Sequence, residues 1–164
     1  MPDSAPEPWE SLYRYWLSKH VGGRPPGRRD IDPVIDIPQL VANLLIIEAG
    51  PDGYHYRLAG SEVVAHEGRD MTGLSAGYQS KRYGHLVDEW LETLDFVRET
   101  QTPRLIFAHF PQEMSAKNIV LLLPLHAAPG EPEKILVGSF YRGHFEPGTK
   151  VEGLSVLEVS LRPQ

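Results

Sequence analysis

Tyr54-His55-Tyr56-Arg57-Leu58-Ala59-Gly60-Ser61-Glu62-Val63-Val64-Ala65-His66-Glu67-Gly68-Arg69-Asp70-Met71-Thr72-Gly73 decides the fold. Tyr54, Tyr56 and Leu58 alternate with His55, Arg57 and Ala59, the period of a strand. Gly60 ends that strand, and Ser61 is read as the N-cap of a short helix carrying Val63, Val64 and His66. Gly68 stops the helix, and Arg69–Gly73 turns the chain. The stretch holds no evident nucleophile or metal motif. It reads as a scaffold that sets a short helix across the mouth of a sheet.

Upstream, Leu44-Leu45-Ile46-Ile47 is a short apolar run that predicts a buried central strand. Gly50-Pro51-Asp52-Gly53 joins it to the Tyr54 strand as a hairpin. Asp32-Pro33 is a helix-start signal, Asp capping and Pro taking the first turn. Further back, residues 1–7 are expected to be a disordered tail, and residues 8–161 one domain. Pro8 opens a helix in which Trp9, Leu12, Tyr13, Trp16, Leu17 and His20 share a face. That stripe either packs on the chain's own core or builds a homodimer, with Trp9, Tyr13, Trp16 and Leu17 as its contacts.

Downstream, Leu86, Val87, Trp90, Leu91, Leu94 and Val97 lie on one face of a helix over 84–100. Asp88 and Glu89 sit in its first turns, where the helix dipole favours negative charge. Strands are predicted at 104–110, 118–126 and 134–142, and residues 152–161 form a last strand or an arm along a partner. Pro124 demands an unpaired edge or a bulge. Two strands before the helices and three after them predict an α+β fold: a five-stranded antiparallel sheet, helices gathered on one face, plus the N-terminal amphipathic helix. Ile119–Leu125 is apolar on both faces, so something must cover the sheet's outer side. The N-terminal helix is the obvious cover, from its own subunit or a partner's.

Composition bounds the function. The chain has 164 residues, 41% of them hydrophobic, and a formal charge of −6. Nucleic acid and anionic membranes call for a basic patch, so neither is an expected partner. The cluster Arg24, Arg28 and Arg29 is short and reads as a solvated loop. There is no cysteine, which removes disulfides, thiolate metal sites and cysteine nucleophiles. No apolar run is long enough to span a membrane, and the N-terminus is acidic and proline-rich, so a cytoplasmic location is expected. The seven histidines contain no HxH or HExxH pair, and no metal site is expected. GxSxG and GxGxxG are both absent, and Asp88-Glu89 diverge around a helix, so no catalytic residue is assigned.

The order of elements resembles a PAS domain, most closely a bacterial subgroup of single-domain PAS proteins. The resemblance rests on Arg14-Tyr15-Trp16, Arg29-Asp30-Ile31-Asp32-Pro33, the Leu44–Glu48 strand, Tyr56-Arg57-Leu58-Ala59-Gly60, Thr72-Gly73 and Leu123-Pro124-Leu125. It implies a non-enzymatic sensory or regulatory role exerted through a signalling protein partner. It also implies a ligand site, where one exists, between the inner sheet face and the long helix. Residues expected there are Trp90, Leu94 and Val97 from the helix, faced by Tyr56, Phe107 and His109 from the strands. The opposite reading is a filled core. The absence of cysteine rules out a cysteinyl-flavin adduct and a thioester-linked chromophore, and haem ligation through His85 is not expected. The rival class is a small enzyme with a hot-dog, thioesterase-like fold and an apolar cleft. Its central helix should be deeply apolar, whereas this one carries Asp88, Glu89, Glu92, Asp95, Arg98 and Glu99 on its outer face.

Overall fold

A computed structural model describes residues 5–79, 83–111 and 116–161. The tail expected over residues 1–7 lies outside the described residues as far as residue 4. Helix α1 (Pro8–Ser18) is followed by α2 (Pro33–Asp36) and by a hairpin of β1 (Leu44–Gly50) and β2 (Gly53–Ala59). Helices α3 (Ser61–Glu67) and α4 (Val87–Thr100) precede β3 (Arg104–His109), β4 (Lys117–Leu125), β5 (Lys134–Arg142) and β6 (Gly153–Glu158). The strands form one antiparallel sheet in the order β2-β1-β5-β4-β3-β6. The α+β class, the antiparallel sheet and the N-terminal helix are as expected. The sheet has six strands rather than five, because residues 153–158 pair along β3.

β4 explains the layering. From Asn118 to Leu125 every residue is buried, although the strand alternates between two faces. Val120 and Leu122 join Trp90, Leu94 and Val97 of α4 on one side. Ile119, Leu121, Leu123 and Leu125 join Leu12, Tyr15 and Trp16 of α1 on the other. A fully buried aliphatic side chain contributes about 1.5–3 kcal/mol, so neither face of β4 can be left in water. Helix α1 supplies the outer cover within the same chain. Its Trp16 indole N–H donates to the Pro124 carbonyl at 2.9 Å. Pro124 is tolerated because β3 pairs with β4 only as far as Leu122, so nothing on that side misses the N–H that proline lacks.

Two glycines mark where backbone and side chain come closest. A Cβ on Gly138 of β5 would lie 2.4 Å from Leu12 Cδ2 and 2.8 Å from Phe140 Cε2. Leu12 of α1 is therefore seated in a notch that only glycine leaves open. A Cβ on Gly60 would lie 2.3 Å from the Ala42 carbonyl oxygen, where the end of β2 meets the turn before β1. Gly60, not Ser61, occupies the N-cap of α3; Ser61 is the first helical residue. Gly68 ends α3 in the left-handed region at φ 85°, as its position implied.

Two phenol–carboxylate contacts tie the helices down. The Tyr15 hydroxyl donates to Asp36 Oδ2 at 2.7 Å and accepts the Asp32 N–H at 3.0 Å, fixing α2 to α1. The Tyr54 hydroxyl donates to Asp95 Oδ1 at 2.5 Å and accepts Arg98 Nε–H at 2.9 Å, fixing β2 to α4. Burial and the bond to Asp36 push the Tyr15 phenol up to about 12. Burial and the bond to Asp95 do the same for Tyr54, against the pull of Arg98.

Both sets of contacts are testable. Gly138→Val should lower the unfolding free energy by about 2–3 kcal/mol, read from the urea midpoint, because the added atoms meet Leu12 and Phe140. The same change should shift Trp16 fluorescence to the red. The phenols carry their protons in the folded chain up to about pH 12, while unfolded tyrosines ionise near 10. The unfolded state therefore loses protons first, and stability present in full below pH 10 should fall as pH rises from 10 towards 12. Tyr15→Phe and Tyr54→Phe should each flatten that fall in denaturant midpoints measured across the window.

Candidate functional site

A small chamber lies between the sheet and the α3–α4 layer. The strands contribute Leu45, Ile47, Tyr56, Asn118, Val120, Val137 and Ser139. The helices contribute Val63, Glu67 and Trp90, with Met71 and Tyr83 closing the ends. The Tyr83 and Trp90 rings meet edge-on at 6.0 Å. About 20 Å³ is open to the centre of a water-sized sphere, room for one or two waters. The walls are mostly apolar, with a polar strip along β4 and β5.

That strip is built by cross-strand pairing. Val120 faces Ser139 and Asn118 faces Tyr141 in the β4–β5 register, so Asn118 and Ser139 are diagonal neighbours on one face. Asn118 is 1% exposed, and its Nδ2 donates to Ser139 Oγ at 3.0 Å and to the Phe140 carbonyl at 3.1 Å. Ser139 Oγ donates on to the Tyr141 hydroxyl at 3.0 Å, and the Ser139 carbonyl accepts Asn43 Nδ2–H at 2.9 Å. Glu67 is buried at the α3 wall. The Trp90 indole N–H is buried and finds no acceptor among the described residues. Beside the chamber, His66 stacks flat on Tyr141 at 3.8 Å, and Phe145 stacks on Phe110 at 4.6 Å.

A groove of about 290 Å³ runs between the start of α1 and the sheet, mainly on the opposite face and reaching round to Glu62 of α3. Trp9, Leu40, Ile119, Phe140 and Tyr141 form its apolar walls, and a Glu7–Arg142 ion pair spans its rim. Chamber and groove share two dipeptides. Asn118 and Ser139 line the chamber, and their neighbours Ile119 and Phe140 line the groove.

Of the residues expected at the inner site, Tyr56 and Trp90 line the chamber. Leu94 and Val97 are fully buried on the same side but lie in the packed core around it. Phe107 and His109 do not face α4. Ile106 and Ala108 do, while Phe107 packs with the α1-side cluster and His109 is exposed, its Nε2 2.7 Å from Ser155 Oγ. β3 lies where its apolar run implies, and its two faces are the reverse of those expected, since a slip of one residue moves every side chain across the sheet. On α1, Trp16 is buried against its own sheet, Trp9 and Tyr13 are half-buried there, and Leu17 is exposed. Asn118, Ser139, Glu67, Met71 and Tyr83 were not singled out from sequence. Asn118 and Ser139 carry a signal nonetheless, as uncharged polar residues beside the apolar runs Ile119–Leu123 and Ile135–Val137.

Among the described residues, no group of three or more metal-ligating side chains is close enough to hold a metal ion, and no helix is long and apolar enough to cross a membrane. No curated protein and no solved structure shows a significant match to the chain. A family model described as PAS domain matches residues 5–140, most of the chain. The order of strands and helices, the chamber beneath α4 and this match agree, and the chain belongs to the PAS domain family.

Proposed function

We propose that the chain is a non-enzymatic module of bacterial signal transduction. A small, mainly apolar ligand in the chamber sets the seating of α1, and a signalling partner protein reads α1 and the groove beside it. PAS domains are in general sensory or regulatory modules, which supplies the class of function. The observation that carries the mechanism is the sharing of Asn118-Ile119 and Ser139-Phe140 between the two faces. In a strand, successive side chains point to opposite sides of the sheet, so one peptide unit joins a chamber wall to a groove wall.

The hydrogen bond from Asn118 to the Phe140 carbonyl reinforces that route. A ligand that engages the Asn118 amide competes with this bond and shifts the backbone that carries the Phe140 ring under Trp9. The low local dielectric makes each buried polar contact costly to leave unmade, so such an exchange is worth about 1–3 kcal/mol. That is enough to change the population of two α1 positions by roughly 5- to 150-fold. The chamber holds little free volume, so ligand entry requires Trp90, Met71 or Tyr83 to move. Trp90 offers the ligand an N–H donor and Asn118 an amide, while Leu45, Ile47, Val120 and Val137 offer apolar contact.

Native mass spectrometry of the purified chain, repeated on the same sample after denaturation, tests this reading. A small additional mass that disappears on denaturation is the expected result. Chain with no added mass, in native spectra taken before and after incubation with indole as an apolar probe, would contradict ligand gating.

A further inference from the structure

The sheet has two edges, and the chain treats them differently. At the β2 edge the Tyr56 N–H donates to the Leu74 carbonyl at 2.9 Å, and its carbonyl accepts the Gly73 N–H at 2.7 Å. His55 forms a further bridge with Ser75. The segment after α3 therefore seals that edge. At the β6 edge, no backbone group of the described residues pairs with the side facing away from β3.

β6 is lightly protected for an open edge. The usual devices are charged side chains, prolines, bulges, a very short strand or a covering segment, and β6 has one of them, Glu158 at its end. From Gly153 to Leu157 there is no charged residue and no proline, and the six-residue register with β3 is unbroken. One side of the strand is apolar, with Leu154 and Val156, and the other carries Ser155 and Leu157. Leu154 and Val156 pack against the α4-side core, while Leu157 is 44% exposed. Glu152 and Glu158 bracket the open stretch. The strand lies beyond residue 140, where the family match ends.

We infer that β6 is the contact of a symmetric homodimer in which two copies pair their β6 strands antiparallel into one continuous sheet. Three features select a second copy as the occupant. First, the strand is complementary to itself. Centred on Val156, antiparallel pairing sets Val156 opposite Val156, Leu157 opposite Ser155, Glu158 opposite Leu154 and Val159 opposite Gly153, so no two carboxylates oppose each other. The alternative centre at Ser155 would set Glu152 against Glu158, a destabilising pair. Of the two registers that pair most of the strand, the one centred on Val156 is thus preferred. Second, this pairing brings the exposed Leu157 of each copy beside the other copy's strand and removes apolar surface from water. Third, the sealed β2 edge means that association through β6 stops at two copies instead of growing into a fibre. The contact leaves α1 free.

The absence of cysteine supplies a clean test. Opposed residues of an antiparallel pair have Cα atoms about 4.5–5.5 Å apart, within the disulfide range of about 4.4–6.8 Å. The full-length Val156→Cys chain, mildly oxidised, should run mainly as a reductant-sensitive covalent dimer. Ile35→Cys, on exposed α2, should give no covalent dimer under the same conditions. Native mass spectrometry of the unaltered chain should show a dimer. Leu157→Lys, at a position already exposed, should weaken it about tenfold or more while leaving the circular dichroism spectrum unchanged. An unaltered chain that is monomeric at tens of micromolar would overturn the proposal. So would a dimer that survives Leu157→Lys and crosslinks through Ile35→Cys rather than Val156→Cys.

Discussion

A strand that is apolar on both faces must be covered on both faces, and β4 imposes that condition on the whole chain. Leu121, Leu122 and Leu123 are each completely buried, yet they alternate between two layers. Helix α4 meets the demand on one side with Trp90, Leu94 and Val97. Helix α1 meets it on the other, and its seat is defined by two contacts of different kinds. The Trp16 indole bonds the carbonyl of Pro124, a proline inside the sheet, and Leu12 enters the notch at Gly138. The first sets where the helix lies along β4, and the second sets how closely it approaches β5. The covering helix thus packs on its own chain, which leaves α1 less apolar surface for a dimer than its stripe suggested.

This arrangement makes the sheet a thin partition between two sites. Asn118 and Ser139 are buried polar groups in an apolar layer, and burial is expensive unless their hydrogen bonds are made. Here they bond one another, the Phe140 backbone and Tyr141. A polar network of this kind is sensitive to what enters the chamber, because any new donor or acceptor must be accommodated within it. The groove on the far side is walled by the next residue along each strand. The proposed transmission across the sheet therefore needs no long relay, only a shift of two peptide units.

Much of the fold was legible in the sequence because its local rules agree. The Gly50–Gly53 turn, the alternation of Tyr54, Tyr56 and Leu58, the glycine stop at Gly68 and the stripe on α4 each follow one period or one turn chemistry. Asp32 caps α2 as its pairing with Pro33 implied, accepting the Ile35 N–H at 3.4 Å. The faces of β3 were not legible, because Leu105-Ile106-Phe107-Ala108 is apolar at every position and offers no alternation to read. Tyr15 was missed on α1 for a related reason. Its burial depends on Asp36 and Asp32, which come from a separate turn. Of the chamber's twelve lining residues, Trp90 follows from the helix stripe and Tyr56 from the alternation of β2. Four more, Asn118, Val120, Val137 and Ser139, depend on the β4–β5 register, which pairs residues about twenty positions apart and is written in no local pattern.

The most direct measurement is of the three tryptophan indole N–H resonances, two on α1 and one in the chamber wall, in the unaltered chain and in Asn118→Leu. The substitution keeps the side-chain volume and removes the amide that bonds the Phe140 carbonyl. If the sheet transmits between its faces, the Trp9 and Trp16 signals shift together with that of Trp90, and the Trp16 N–H exchanges faster with solvent. If only the Trp90 signal moves while those of Trp9 and Trp16 stay in place, the two faces are independent and the coupling does not exist.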